Sequence, residues 1–167
     1  MRFGLAQQLS IIGAAIVAGG AYGLLTRQAL LSGVSANPND FLSLFLLIIS
    51  TTALIDFLGS LPIIGLLFVG AASRSFGAIV GVVVLDHKTL PIIGIISLSI
   101  TASLEITSLV VVGIAGFRLL DFGYKRSERK KGELYAYLKL LGLALSISFL
   151  SALFESASIL GMLPFGL

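Results

Sequence analysis

Two glutamates, Glu105 and Glu155, each lie inside an apolar run long enough to cross a bilayer, while most other charges lie between such runs. An ionisable side chain at membrane depth costs about 3 kcal/mol or more. It persists where it faces a bundle interior, a wet cavity or a counter-charge. The residues around each glutamate fall at helical spacing. Ser97, Thr101, Glu105 and Ser108 share one helical face, and Ser148, Ser151, Glu155 and Ser158 share another. These hydroxyl stripes are expected to face each other, because hydroxyls hydrogen-bond across helices and lipid cannot. The plainer alternative is that they permit close packing and bond back to their own helices.

Arg74 is the counter-charge expected for Glu105. It stands twelve residues after Pro62, and Glu105 stands twelve residues before Phe117. At a rise of about 1.5 Å per residue, both fall roughly 18 Å from the same boundary, close to mid-bilayer. A buried Arg–Glu pair fits a static lock, and it also fits an anion or proton site. Asp56, one turn before Gly59, reads as a solvated helix end. His87 stands alone beside Asp86, without the further ligands that a metal site requires. No phosphate-binding loop or metalloprotease helix motif is present. Neither is the Ser/His or paired-Asp constellation of an intramembrane protease, so no enzyme, metal or cofactor is expected.

The elements that must position these residues follow from composition. The chain has 167 residues, 57% hydrophobic and 11% charged. A soluble domain carries about 25% charged residues, so this one cannot cover a water-facing surface. The runs are too long and continuous for the alternating strands of a membrane barrel. The expectation is an all-α, polytopic helical bundle forming one integral membrane domain. Its spans lie at roughly 5–25, 41–58, 62–85, 91–117 and 135–160. The first run is read as a retained span rather than a signal peptide. The third is read as continuous through Arg74. Asn37-Pro38-Asn39-Asp40 and Gly59-Ser60-Leu61-Pro62 mark turns, with Asp40 as a helix cap and Pro62 in the first turn of the third helix. Absence of cysteine removes disulfides and thiolate ligands from consideration.

Seven of the eleven Lys and Arg lie between Arg118 and Lys139. Lys and Arg stay on the cytoplasmic side, so 118–134 is read as a basic cytoplasmic loop, with the N-terminus inside and the C-terminus outside. Lys125, Arg126, Arg129, Lys130 and Lys131 would contact anionic lipid or a cytoplasmic partner. Tyr124, Tyr135 and Tyr137 would form an aromatic belt at the inner boundary. Small residues on the first and third runs, Gly19, Gly23, Gly70, Gly77 and Gly81 among them, offer close-packing faces that could join two copies. Membrane lipids, a second copy and a membrane or cytoplasmic protein are the expected partners, and nucleic acid is not.

Over roughly residues 41–160, and most clearly from Glu105, the sequence resembles the stage II sporulation protein M-like family of prokaryotic integral membrane proteins. The likeness is carried by Glu105-Ile106-Thr107-Ser108-Leu109, by Gly113-Ile114-Ala115-Gly116-Phe117-Arg118-Leu119, and by Ala152-Leu153-Phe154-Glu155-Ser156-Ala157. Ile100-Thr101-Ala102 stands where members commonly have Pro-His-Gly, and Val69-Gly70 where Asn-Gly often occurs. The resemblance implies a multi-span helical fold, with some members tied to envelope-remodelling complexes and others to transport. The resulting expectation is a non-enzymatic, multi-pass protein of the plasma membrane. It would be a transport or permease component with an intramembrane polar seam or, alternatively, a scaffold that recruits envelope-remodelling proteins.

Overall fold

The computed structural model describes residues 4–26, 40–85, 92–124 and 127–159, with some side chains inside the helices left out. All regular structure among the described residues is helical. The helices are α1 (Leu5–Thr26), α2 (Phe41–Gly59), α3 (Ile64–Leu85), α4 (Ile92–Tyr124) and α5 (Ser127–Ile159). Four of them contain stretches long and apolar enough to span a membrane: Leu5–Thr26, Phe41–Gly59, Ser99–Gly123 and Lys131–Ala157. Within α3 the apolar stretch among the described residues is Ile64–Arg74, and the helix runs unbroken through Arg74. Large apolar side chains point outward from every element, among them Val17, Leu25, Leu67, Leu138 and Leu150. Such a surface suits lipid and not water, so the chain is a membrane protein of the helical-bundle class.

Local chemistry sets the helix ends. Asp40 caps α2, accepting from the Leu42 N–H at 3.2 Å and from the Ser43 hydroxyl. The Ser43 hydroxyl, then the Leu42 N–H, hold this exposed carboxyl below its ordinary range. At the other end of α2 the chain reverses within a few residues. Pro62 precedes α3 rather than opening it. Ile63 takes φ 65° and is 75% exposed. A β-branched side chain in the left-handed region costs about 1–3 kcal/mol.

The glycine faces of α1 and α3 meet each other. A Cβ at Gly19 would overlap the Gly70 carbonyl, one at Gly23 the Arg74 carbonyl, and one at Gly77 the Gly20 carbonyl. The two backbones therefore touch, as small-residue faces allow in lipid. Gly19, Gly23, Gly70 and Gly77 thus serve packing within one chain. Ile12, Val69 and Leu109 form the centre of the core where α1, α3 and α4 converge, with Ile55 of α2 against them.

α4 and α5 pack extensively on one another and are 33 residues each. That is roughly 50 Å of helix, well beyond the ~30 Å hydrocarbon core. The segment read as a basic loop, 118–134, is helical at 118–124 and 127–134. Gly116-Phe117-Arg118-Leu119 accordingly lies within α4 and makes no turn. Arg118 pairs with Glu133 across the hairpin at 3.4 Å. With the Arg118 side chain 42% exposed, the bond contributes at most about 1 kcal/mol. Lys125 and Arg126 lie outside the described residues, as do the side chains of Arg129 and Lys130. Lys131 is exposed.

Candidate functional site

The polar centre of the bundle is built around Asp56. Its side chain is 2% exposed, so it is not a solvated helix end. The reason lies in the neighbours. The α2 C-terminus ends inside the protein, with Gly59 against Val112 and the Ser60 and Leu61 carbonyls beneath Gly116. α4 and α5 continue past it and close it off from solvent.

Three helices supply the cluster. Ser108 of α4 donates to Asp56 Oδ1 at 2.9 Å, and Ser148 of α5 donates to Oδ2 at 2.6 Å. The two serine oxygens are 3.0 Å apart, and the Ser108 hydroxyl is also 3.3 Å from the Ala144 carbonyl. The hydroxyl stripes of α4 and α5 thus meet at Ser108 and Ser148, and α2 adds a carboxyl that the stripes alone did not reveal. Four residues further along the chain, Ser60, the C-cap of α2, hydrogen-bonds the Tyr137 hydroxyl at 3.0 Å. Tyr137 is 8% exposed and belongs to the core rather than to an interfacial belt. Tyr135, two residues away, is exposed and lies under the Lys139 ammonium.

Glu105 and Glu155 lie on the side of the cluster away from the α4–α5 hairpin. Both are half-buried, and Glu105 is within electrostatic reach of Glu155 and Asp56. Ser151 lies between Ser148 and Glu155 on α5. It is fully buried, and its hydroxyl oxygen has no hydrogen-bond partner among the described residues. Thr101 is half-buried on α4, one turn before Glu105. The side chains of Ser97 and Ser158 lie outside those described.

Arg74 does not pair with Glu105. Its guanidinium lies 4.7 Å from the centroid of the Tyr22 ring on α1, and its Nε is buried without a hydrogen-bond partner among the described residues. The depth argument placed both residues at mid-bilayer but could not fix their rotation about the helix axes. α1 occupies the Arg74 face of α3. A double-mutant cycle is therefore expected to show additivity between Arg74→Ala and Glu105→Ala to within about 0.5 kcal/mol. Arg74→Ala and Tyr22→Leu are expected to couple by about 0.5–2 kcal/mol. Unfolding of the purified variants in one detergent measures both.

Among the described residues, no group of three or more His, Cys, Asp or Glu is arranged to hold a metal ion. Comparison with protein-family models, with curated proteins and with solved structures finds no match. The resemblance at Glu105 and Glu155 therefore rests on the short motifs alone.

Proposed function

We propose that the chain is a non-enzymatic, multi-pass transport or permease component of the plasma membrane, working through the polar seam between α2, α4 and α5. The observation that carries this reading is Asp56, buried in the bundle and held by serines from two other helices. Glu105 and Glu155 extend the seam. No guanidinium or ammonium of the described residues forms an ion pair with any of the three. A static bundle has little use for several carboxyls at membrane depth, whereas proton relays and ion pathways are built from them. The resemblance to the sporulation protein M-like family fits this reading and the scaffold reading alike.

The test is flux through liposomes carrying the purified protein and an entrapped pH-sensitive dye. Wild type is expected to dissipate an imposed pH gradient. Glu105→Gln, which keeps shape and removes titration, is expected to slow it about tenfold or more, a barrier change of about 1.4 kcal/mol. Equal rates for empty liposomes, wild type and variant would favour the scaffold reading. In that reading the charges only hold the bundle together and the hairpin docks a partner.

Orientation is part of the same proposal. The basic end of the α4–α5 hairpin belongs in the cytoplasm, which puts the N-terminus inside and the C-terminus outside. Gly132 has open space around it. A Gly132→Cys variant is expected to resist an impermeant thiol reagent in intact cells and to react once the membrane is opened. Labelling in intact cells would reverse the assignment.

A further inference from the structure

The cluster at Asp56 has more contacts than protons. Two serine hydroxyls supply two hydrogens, yet four close oxygen–oxygen contacts join Asp56, Ser108, Ser148 and the Ala144 carbonyl. With both hydrogens directed at an ionised carboxylate, the 3.0 Å contact between Ser108 and Ser148 holds no hydrogen. Neither does the 3.3 Å contact with Ala144. Oxygen lone pairs that face each other in an apolar interior are unfavourable. One added positive charge resolves the arrangement. If Asp56 Oδ2 carries a proton, it donates to Ser148, Ser148 donates to Ser108, and Ser108 donates to Oδ1 or to the Ala144 carbonyl. The ring of carboxyl and two hydroxyls then closes.

The same four groups carry the oxygen donors a hard monovalent cation prefers: a carboxylate, two hydroxyls and a helix carbonyl. A divalent ion is a poor fit. A single carboxylate leaves it under-neutralised in the interior, and no three-carboxylate group of metal-binding geometry is present among the described residues. We propose that Asp56, Ser108, Ser148 and the Ala144 carbonyl form a monovalent-cation site that a proton and a sodium ion occupy in competition.

Further carboxyls stand beside the site. α4 presents Glu105, within electrostatic reach of Asp56 and of Glu155 on α5. The Tyr137 hydroxyl of α5 is engaged by Ser60. α3 contributes Arg74, which is turned to Tyr22 on α1. Ser151, buried and unpartnered among the described residues, stands one turn along α5 from Ser148 and provides the next oxygen towards Glu155. The exchange is balanced: a sodium ion enters as the Asp56 proton leaves, and the charge of the cluster is unchanged. This deepens the transport reading and rests on it for its purpose, while the site itself is tested at equilibrium.

The experiment is infrared difference spectroscopy on the full chain in lipid nanodiscs, titrated with sodium chloride against choline chloride at constant pH and ionic strength. Sodium is expected to remove a protonated-carboxyl C=O stretch and to release protons into a weakly buffered solution. Asp56→Asn is expected to lack both signals. Ser148→Ala, with its fold checked by circular dichroism, is expected to need about tenfold more sodium, equivalent to about 1.4 kcal/mol. A wild-type carboxyl band and proton release that ignore sodium would overturn the proposal, even if Asp56→Asn fails to fold. Retention of the sodium-sensitive band in Asp56→Asn would overturn it as well. Sodium-linked release without liposome flux would keep the site and remove the transport reading. Flux without sodium-linked release would remove the site alone.

Discussion

Gly23→Ala is expected to separate α1 from α3 and to cost about 3 kcal/mol or more. The added methyl would overlap the Arg74 carbonyl and come within 2.9 Å of the Ala78 backbone nitrogen. Both obstacles are main chain, so no flexible side chain can move aside. The helices must part, and the contacts at Gly19 with Gly70 and at Gly20 with Gly77 open with them. In lipid this loss is severe, because close packing is the main attraction between apolar helices. Gly13→Ala on the same helix is the control. Nothing lies within 4 Å of its Cβ position. There the gain in helix propensity, about 1 kcal/mol on soluble scales, is the only expected effect. Unfolding curves for the two variants in one detergent make the comparison. Equal stabilities would mean that α1 and α3 do not touch through their glycines.

The apolar runs made five helices legible, because a bilayer demands about 20 consecutive apolar residues whatever the tertiary packing. The spacing of Ser108 and Ser148 made their faces legible too. The rotation of one helix against another was not. Arg74 and Glu105 match in depth, yet Arg74 faces α1 and Glu105 faces the side of Asp56 and Glu155. Depth depends on residue count, whereas rotation depends on which neighbour takes the small-residue face. Asp56 was hidden for a related reason. Its place near Gly59 suggests an interface only if every helix ends at the same level. α4 and α5 run on through Arg118 and Lys131, so the α2 terminus is enclosed. A signal was present: Thr52, Asp56 and Ser60 recur every four residues, which gives α2 a polar face of its own. The hairpin was misread as a loop because its charges resemble solvent-exposed linker. Ser127 to Lys131 is nonetheless helical backbone.

The Asp56 cluster separates stability from function. Asp56→Ala removes the only carboxyl that Ser108 and Ser148 share, in a site 2% exposed. Stranded buried hydroxyls cost about 1–3 kcal/mol each, and the vacated volume adds to that. Ser148 and Ser108 can each turn back to a carbonyl of their own helix, which lowers the figure, so about 3 kcal/mol is expected in all. Asp56→Asn is expected to cost less than about 1 kcal/mol, because an amide hydrogen can replace the carboxyl proton in the ring. The informative variant is the triple change Asp56→Leu with Ser108→Ala and Ser148→Ala. Apolar groups of similar volume remove every unmet hydrogen bond at once, and such replacement of buried polar groups is often neutral or stabilising. Thermal unfolding is therefore expected to place the triple variant at or above wild type, with Asp56→Ala well below. Liposome flux is expected to vanish in the triple variant despite its stability. A triple variant that is stable and still conducts would show that the cluster has no part in transport. One that is markedly less stable than wild type would show that the polar ring holds the three helices together, and that its chemistry is structural.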